Sequence, residues 1–309
     1  MKNAHRHDSV RKLVSHGAFA LFFYLFASPV TAEANWILEA SALGERNDNA
    51  ANTGSAMKSD TALIASVSGG FYEQIATYTG LSATMDVESR NYGEYVDLSS
   101  VSSGLSLNLN HKFGVGLQAV RMNAHVSYGL NDFKDNHRDV RLFTTGVSGS
   151  SWVTDRLKIM VGYEYDKAVP VETFAPHCGG YYGAYSNCVG GSYDNPYDTN
   201  GNSLFARVTF LLSDVELTAG YRYRRGDVVA DYVPGAGSQY SYNPLWYDAV
   251  FPGLASARYD AQTHSVNLGV SGEIVRQLSL NMDYSYNATS TSVANYNNNV
   301  VRLGIAYAY

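Results

Sequence analysis

The feature that most restricts the fold of this chain is a hydrophobic alternation with a period of two residues. Between 157 and 166, Leu, Ile, Val, Tyr and Tyr occupy one set of alternate positions, and Lys, Met, Gly, Glu and Asp occupy the other. Successive side chains of a β-strand point to opposite faces, so this segment has one apolar and one polar face. Segments 215–224 and 278–287 repeat the pattern, and in all three the apolar face ends in a Tyr-x-Tyr pair. The pattern predicts strands that separate an apolar surface from water.

The composition decides between the kinds of protein that alternating strands can build. Of the 309 residues 45% are hydrophobic and only 16% are charged, with 22 Lys and Arg against 28 Asp and Glu. Long apolar runs are confined to the N-terminus, which excludes a bundle of membrane-spanning helices, and the acidic balance argues against a nucleic-acid partner. A soluble β-sandwich would also alternate, but it has no reason to end its apolar faces in paired tyrosines. We therefore predict a transmembrane β-barrel.

The N-terminus has the three parts of an export signal. A basic region precedes an apolar stretch at 18–26, and the small-residue sequence Val30-Thr31-Ala32 follows. The basic residues are Lys2, Arg6, Arg11 and Lys12. An N-terminal membrane anchor is the alternative, but an apolar core of about ten residues is too short to span a bilayer. We predict a signal peptide at 1–32, cleaved after Ala32, and a single barrel domain at 33–309.

Twelve segments carry the alternation and predict an all-β, antiparallel up-and-down barrel of about twelve strands. They are 36–43, 61–69, 74–87, 98–109, 115–128, 139–150, 157–166, 203–212, 215–224, 263–274, 278–287 and 299–309. Their connections alternate in length. The short ones lie near 70–73, 110–114, 151–156, 213–214 and 275–277, and the long ones are 44–60, 88–97, 129–138, 167–202, 225–262 and 288–298. This alternation predicts short periplasmic turns and long extracellular loops.

The Tyr-x-Tyr pairs predict an aromatic girdle at the border between the hydrocarbon and the headgroups of the membrane. Tyrosine favours this border because its ring can stay in lipid while its hydroxyl reaches water. The six residues are Tyr163, Tyr165, Tyr221, Tyr223, Tyr284 and Tyr286. Outer-membrane lipids are therefore expected partners of the barrel wall.

The last strand carries an apolar row that ends on the final residue. The row consists of Val301, Leu303, Ile305, Tyr307 and Tyr309. It resembles the C-terminal signature of bacterial outer-membrane β-barrel proteins, which the barrel-assembly machinery recognises. The resemblance covers the mature chain in pattern and identifies a superclass without a specific family. It implies residence in a Gram-negative outer membrane, reached with the help of periplasmic chaperones and the assembly machinery.

The inward faces of the predicted strands contain small residues and charges of both signs. Twelve tilted strands give a cylinder about 24 Å across, so side chains decide whether water fills it. The candidate lumen or constriction residues are Glu164, Arg207, Arg222, Arg121, Asp283 and Arg302. Strand spacing predicts that Glu164, Arg207 and Arg222 form a cluster, with Arg207 level with Gly162 and Gly220. This cluster is either a constriction that selects polar or anionic solutes, or a salt-bridge network that braces or closes the lumen.

One short motif suggests chemistry. The run 125–129, His-Val-Ser-Tyr-Gly, resembles the His-x-Ser-Asn-Gly motif of outer-membrane phospholipases and the His-x-Ser of lipid A deacylases, in which the His activates the Ser. Here Tyr128 stands in place of the Asn, and no Arg follows the Gly. The alternation also points His125 into the lumen, whereas lipid hydrolysis needs an outward site. The histidines His111, His137, His177 and His264 share no ligand spacing, so neither a metal site nor a cofactor is predicted.

The two longest predicted loops are rich in tyrosine. The loop at 167–202 also contains Cys178 and Cys188, the only cysteines, and export through an oxidising compartment predicts a disulfide between them. Tyrosine-rich loops suit either a contact surface or a lid over the barrel mouth.

The predicted function follows from the barrel and its lumen. We expect a narrow porin-like channel for small polar solutes. A non-conducting, adhesin-type barrel that binds a surface ligand through its external loops is the alternative. An outer-membrane lipid hydrolase is the third interpretation, and the channel and adhesin interpretations both predict that the chain is not an enzyme.

Overall fold

The computed structural model describes residues 35–171, 195–233, 246–292 and 295–309, so the predicted signal peptide and both cysteines lie outside the described residues. In chain order the strands are β1 (Asn35–Asn47), β2 (Asp60–Ala76), β3 (Thr79–Tyr92), β4 (Ser100–Lys112), β5 (Arg121–Phe133), β6 (Val140–Trp152), β7 (Leu157–Pro170), β8 (Thr199–Leu212), β9 (Val215–Tyr232), β10 (Trp246–Tyr247), β11 (Ala255–Val275), β12 (Leu278–Thr291) and β13 (Asn295–Ala308). Two short 3-10 helices, η1 (Val96–Leu98) and η2 (Asn136–Arg138), lie in the connections. Among the described residues, no helix is long and apolar enough to cross a bilayer.

Twelve of the strands close into one antiparallel barrel. Strands β1 to β9 follow one another around the sheet, as do β11 to β13. Pairing of β9 with β11 and of β13 with β1 closes the ring. The two-residue β10 adds a short pairing to β11, at Trp246↔Ser256. The predicted fold class and strand number are confirmed.

Two of the predicted turns are misplaced. The sequence predicts a turn at 70–73, but β2 and β3 are joined at 77–78. The pair Gly69-Gly70 lies at the start of the predicted turn and has the sequence signal of one. In the structure Gly70 lies inside β2, where a Cβ would overlap Ala83 and Thr84 of β3, so this glycine permits close approach of two strands. The β4–β5 connection likewise spans 113–120 rather than 110–114.

The strands also extend further into the long connections than predicted. Strand β9 continues to Tyr232 and β11 begins at Ala255, which reduces the predicted loop 225–262 to 233–254. The ladder between these strands is continuous from Tyr232↔Ala255 to Val215↔Gly272. Beyond the tyrosine pairs the hydrophobic alternation of the sequence stops while the backbone pairing continues.

Apolar side chains cover the outside of the wall, and most of the inward side chains are polar. Val161, Leu204 and Leu303 are typical outward residues, each more than half exposed. The buried hydrophobic cluster lies in the long connections, not inside the wall, and comprises Ala51, Leu98, Val250, Phe251 and Leu254. The barrel interior is therefore mainly polar, with single buried apolar side chains such as Ile64 and Val300 toward its outer end.

The tyrosine pairs lie on the outward face. Tyr221 and Tyr286 are both register partners of Val266, which places them in one row across three strands. The Tyr221 hydroxyl lies 2.7 Å from Nδ1 of His264, and the Tyr284 hydroxyl donates to Asn299 at 2.7 Å. These rings thus keep a polar partner at one end, as a membrane-border position requires.

Candidate functional site: the lumen and its outer mouth

A cluster of charged side chains lies on the lumenal face of β5, β7 and β9. The Arg222 guanidinium donates to Glu164 Oε1 at 2.6 Å, and His125 Nε2 lies 3.8 Å from the other carboxylate oxygen. The ring of Phe205 supports Arg222, with 5.4 Å between the guanidinium carbon and the ring centroid. Glu164 is thus held between two basic side chains.

Arg207 lies outside this cluster, contrary to the sequence prediction. Its register partners are Met160 on β7 and Gly220 on β9, whereas Gly162 is opposite Phe205. The tight turn 213–214 determines the β8–β9 register, so the match with Gly220 is right. The long connection 171–198 leaves the β7–β8 register undetermined by turn geometry, so the match with Gly162 is wrong. Arg207 is exposed to the lumen and has no ion pair or hydrogen bond with any described residue.

Arg207, Glu164 and Arg222 line one lumenal cavity of ≈ 690 Å³. The same cavity is lined by Glu216, Asp283 and Arg302. Glu216 and Asp283 are exposed, and neither has an ion pair or a hydrogen bond with a described residue. The cavity therefore combines paired charges, which brace the wall, with unpaired charges, which face water.

The Arg302 guanidinium belongs to a brace across the closing seam. It donates to Glu45 Oε2 at 2.7 Å, and Arg90 donates to Glu45 Oε1 at 3.0 Å. The Glu45 side chain is only 3% exposed, so it is surrounded by its two basic partners. This three-residue bridge joins β13, β1 and β3, so Arg302 braces the wall at the seam.

Another brace lies higher in the lumen, nearer the long connections. Arg224 contacts both carboxylate oxygens of Asp166, at 3.1 and 2.6 Å, and donates to the backbone carbonyl of Asp227 at 2.9 Å. Such a two-pronged contact fixes the orientation of both side chains. It ties β7 to β9 across the intervening β8.

Arg121 lies at the opposite end of the lumen, near the short turns. It is directly opposite Lys112 on the neighbouring strand, and both line a smaller cavity of ≈ 350 Å³ with Tyr72 and Gln74. Arg121 is therefore not part of the cavity that contains Arg207.

The His-x-Ser motif faces the lumen. The pairing Ser106↔Ser127 and the contact between His125 and Glu164 place both motif side chains on the inner face. No hydrogen bond joins Ser127 to His125 in the part of the chain that the structure describes. The arrangement lacks the contact through which a His activates a Ser nucleophile.

The outer mouth of the barrel is covered by a cluster of connections. Phe251, in the β9–β11 connection, is 1% exposed and lies 4.7 Å from Tyr95 between ring centroids. Tyr95 belongs to the β3–β4 connection, and six strands separate these two connections in either direction around the ring. The contact between them therefore crosses the full width of the mouth. We call the buried residues Ala51, Leu98, Val250, Phe251 and Leu254 the mouth cluster.

Polar residues hold the segment 246–254 in this position. The Asp248 side chain accepts hydrogen bonds from the backbone of Val250 and Phe251 and forms an ion pair with Arg138 of η2. Ser256 Oγ lies 2.6 Å from Asp231 Oδ1 and 2.9 Å from Asp248 Oδ2. A hydroxyl has one proton to donate, so both contacts are hydrogen bonds only when one of the two carboxyls is protonated.

The electrostatics of this site favour a proton on Asp231. Burial and the neighbouring Asp248 carboxylate raise the pKa of Asp231 to about 7. Burial also raises the pKa of Tyr197, whose ring lies 5.2 Å from the Arg138 guanidinium. The β1–β2, β3–β4, β5–β6, β7–β8 and β9–β11 connections thus all contribute side chains to the covered mouth.

Sequence reasoning did not identify Glu45, Arg90, Asp231, Asp248 or Ser256. Glu45 carried a usable signal, since extending the predicted strand 36–43 by one more period of two places it on the inner face. The mouth residues carried no such signal, because contacts between loops do not follow a local period.

Comparison with known proteins identifies the fold. No family model matches the sequence, and no curated protein matches it. Among solved structures, an outer-membrane channel from Pseudomonas putida F1 is 10% identical with a TM-score of 0.56, over 91% of this chain and 97% of that chain. The KdgM porin is 12% identical with a TM-score of 0.40, over 88% and 99%, and the NanC porin is 11% identical with a TM-score of 0.44, over 87% and 98%. The chain has the fold of bacterial outer-membrane barrels.

Proposed function

We propose that the chain forms a narrow channel for small polar solutes across the bacterial outer membrane. The observation that carries the proposal is the lumenal cavity of ≈ 690 Å³, lined by exposed charges that have no protein partner among the described residues. Charged side chains in a packed interior would be paired or excluded. Their exposure on the inner face supports a water-filled path past them.

The covered mouth adds a gate to this channel. The segment 246–254 packs across the outer mouth, so solutes enter when it moves or pass beside it. Its polar anchors are few: Asp248 binds Arg138, and Ser256 contacts Asp231 and Asp248. A small number of contacts suits a segment that opens and closes.

Single-channel recording in planar bilayers tests the proposal. Wild-type protein should give small conductance steps with frequent closures. The variant Phe251→Ser should stay open longer, because it places a hydroxyl in the mouth cluster and weakens the closed position. Phe113→Ser, in a short turn at the other end of the barrel, is the matched control and should behave as wild type. Absence of steps from the wild type and both variants, with folding shown by heat-modifiable migration, would exclude a channel.

A non-conducting, ligand-binding barrel is the second candidate. The mouth cluster favours it, because it joins several connections into one continuous outer surface that suits recognition. This candidate gains support if folded protein carries no current even as Phe251→Ser. The same recording therefore distinguishes the channel from the ligand-binding barrel.

A further inference from the structure

Three charged side chains in the lumenal cavity are exposed and unpaired among the described residues. They are Arg207 on β8, Glu216 on β9 and Asp283 on β12. The other charges in the cavity are already paired, Arg222 with Glu164 and Arg302 with Glu45. A passing solute therefore meets one free guanidinium and two free carboxylates.

The free charges lie on different parts of the cavity wall. Arg207 is in register with Gly220, which pairs with Asn267, and Asn267 pairs with Ser285. Asp283 is two residues from Ser285, so three strand spacings and two residue steps separate its Cα from that of Arg207, about 15 Å along the wall. Both residues line the same cavity.

The glycine opposite Asp283 leaves room for this arrangement. Gly269 lies between Thr218 and Asp283 in the register, and a Cβ at that position would meet the side chains of both. The absent Cβ lets the Asp283 carboxylate and the Thr218 hydroxyl lie over the same stretch of wall. A polar depression forms there, with the Asp283 carboxylate at one edge and its register partner Arg302, which is paired with Glu45, on the next strand.

We infer that the channel prefers small zwitterions, whose carboxylate is attracted to Arg207 while the ammonium group is attracted to Asp283 and Glu216. This inference rests on the proposed channel function and names its solute class. A monovalent ion is attracted to one part of this wall and repelled by the other, whereas a zwitterion can align with both. A neutral polyol gains neither attraction.

Liposome swelling with two solutes of similar size tests the inference. The probes are 4-aminobutanoate, a zwitterion, and erythritol, a neutral polyol. In wild-type proteoliposomes we expect 4-aminobutanoate to enter about threefold faster than erythritol, a modest ratio because lumenal water screens the charges. Equal rates in the wild type would overturn the inference and leave the channel intact.

Variants assign the preference to the named residues. Arg207→Gln and the double variant Glu216→Gln with Asp283→Asn should each bring the ratio of the two rates close to one. The matched controls are Arg156→Gln and Asp214→Asn, which remove the same charges from short turns outside the cavity and should keep the wild-type ratio. A ratio that persists in Arg207→Gln and in the double variant would also overturn the inference.

The same experiment distinguishes failure of the channel proposal from failure of the zwitterion inference. If neither probe enters proteoliposomes that contain heat-modifiable, folded protein, the channel is excluded and the zwitterion inference falls with it. If both probes enter, the ratio of their two rates decides whether the channel prefers zwitterions. Reversal potentials add a second readout, since Arg207→Gln should shift ion preference toward cations and Asp283→Asn toward anions.

Discussion

At the scale of single residues, the lumenal charges divide into braces and free groups. Glu45 illustrates the brace, because its buried carboxylate is satisfied by two guanidinium groups from strands on either side of the seam. Arg207 illustrates the free group, exposed to the lumen without a described partner. The same residue types thus serve wall stability in one place and the field within the lumen in another.

The Glu45 brace predicts a stability effect. Replacing Glu45 by Gln leaves Arg90 and Arg302 close together without their shared counter-ion. We expect a loss of about 1–3 kcal/mol, below the range for fully buried pairs, because lumenal water reaches both guanidinium groups. Urea unfolding in detergent micelles measures it. Glu216→Gln removes an unpaired carboxylate and should change the midpoint little, so equal losses in the two variants would contradict the brace.

The ion pair of Arg222 predicts a difference between two arginines. Arg207→Ala removes a free charge and should shift the reversal potential in a salt gradient toward cations with little change in stability. Arg222→Ala should shift it in the same direction, because Glu164 loses its neutralising partner. Removing both members, in Arg222→Ala with Glu164→Ala, should leave the potential near the wild-type value. If the double variant were as cation-selective as Arg222→Ala, the charges of Arg222 and Glu164 would not cancel in the wild type.

At the scale of elements, the segment 246–254 is the part of the barrel that most affects access to the lumen. It is anchored by the ion pair of Asp248 with Arg138 and by Phe251 in the mouth cluster. The raised pKa of Asp231, which lies beside Asp248, couples this segment to pH. Asp231 lies eight residues beyond Tyr223, past the predicted girdle and next to the outer end of β9 at Tyr232.

The protonation of Asp231 predicts closure under acidic conditions. Closing buries Asp231 beside Asp248 and raises its pKa to about 7, whereas opening returns it toward the ordinary value of 3.8. The closed form therefore binds the proton more tightly, and closure is favoured as the pH falls from about 7 toward 4. Above pH 7 both forms are ionised and the proton no longer favours closure. Open probability measured between pH 5 and 8.5 should rise with pH.

Asp231→Asn tests the assignment of this pH effect. An amide keeps the shape and cannot ionise, so the variant should show a nearly constant, low open probability over the same range. Asp260→Asn removes an exposed carboxylate from β11 and should keep the wild-type pH curve. A pH-dependent Asp231→Asn would assign the effect to another group and contradict the role of Asp231.

At the scale of the whole molecule, the sheet closes into a barrel through the pairing of the last strand with the first. The register runs from Glu39↔Ala308 to Asn47↔Val300, and Tyr309 adds a backbone hydrogen bond to Leu38 at 2.9 Å. The outward row of β13 lies beside small residues of β1, with Ile305 opposite Ala42 and Leu303 opposite Gly44. The seam thus presents the C-terminal apolar row to lipid without obstruction.

The exposed C-terminal row predicts a defect in assembly. Tyr309 is 73% exposed, so its side chain contributes little to the packing of the finished barrel. We expect Tyr309→Asp to reduce the amount of folded barrel in the outer membrane severalfold, through lost recognition by the assembly machinery. Heat-modifiable migration of outer-membrane fractions measures it. Purified Tyr309→Asp should still refold in detergent, and failure there would assign the defect to stability instead.

The sequence by itself determined the barrel, its strand number and the two faces of its wall. A period of two is a local property, and each residue on a strand shows its face without reference to distant parts of the chain. The inward phases of Glu164, Arg222 and His125 follow from the same rule. This rule does not distinguish the role of Gly70, because a glycine that permits close approach of two strands has the same sequence signal as a glycine in a turn.

The tertiary structure alone decided which charges pair, which stay free, and what covers the mouth. The β7–β8 register follows a long connection, so the sequence could not place Arg207 away from Glu164. Glu45 meets Arg302 only because the first and last strands close the ring. Phe251 meets Tyr95 across the full width of the barrel. These contacts join residues that are far apart in the chain and become neighbours only when the sheet closes into a ring. A local sequence pattern therefore cannot predict them.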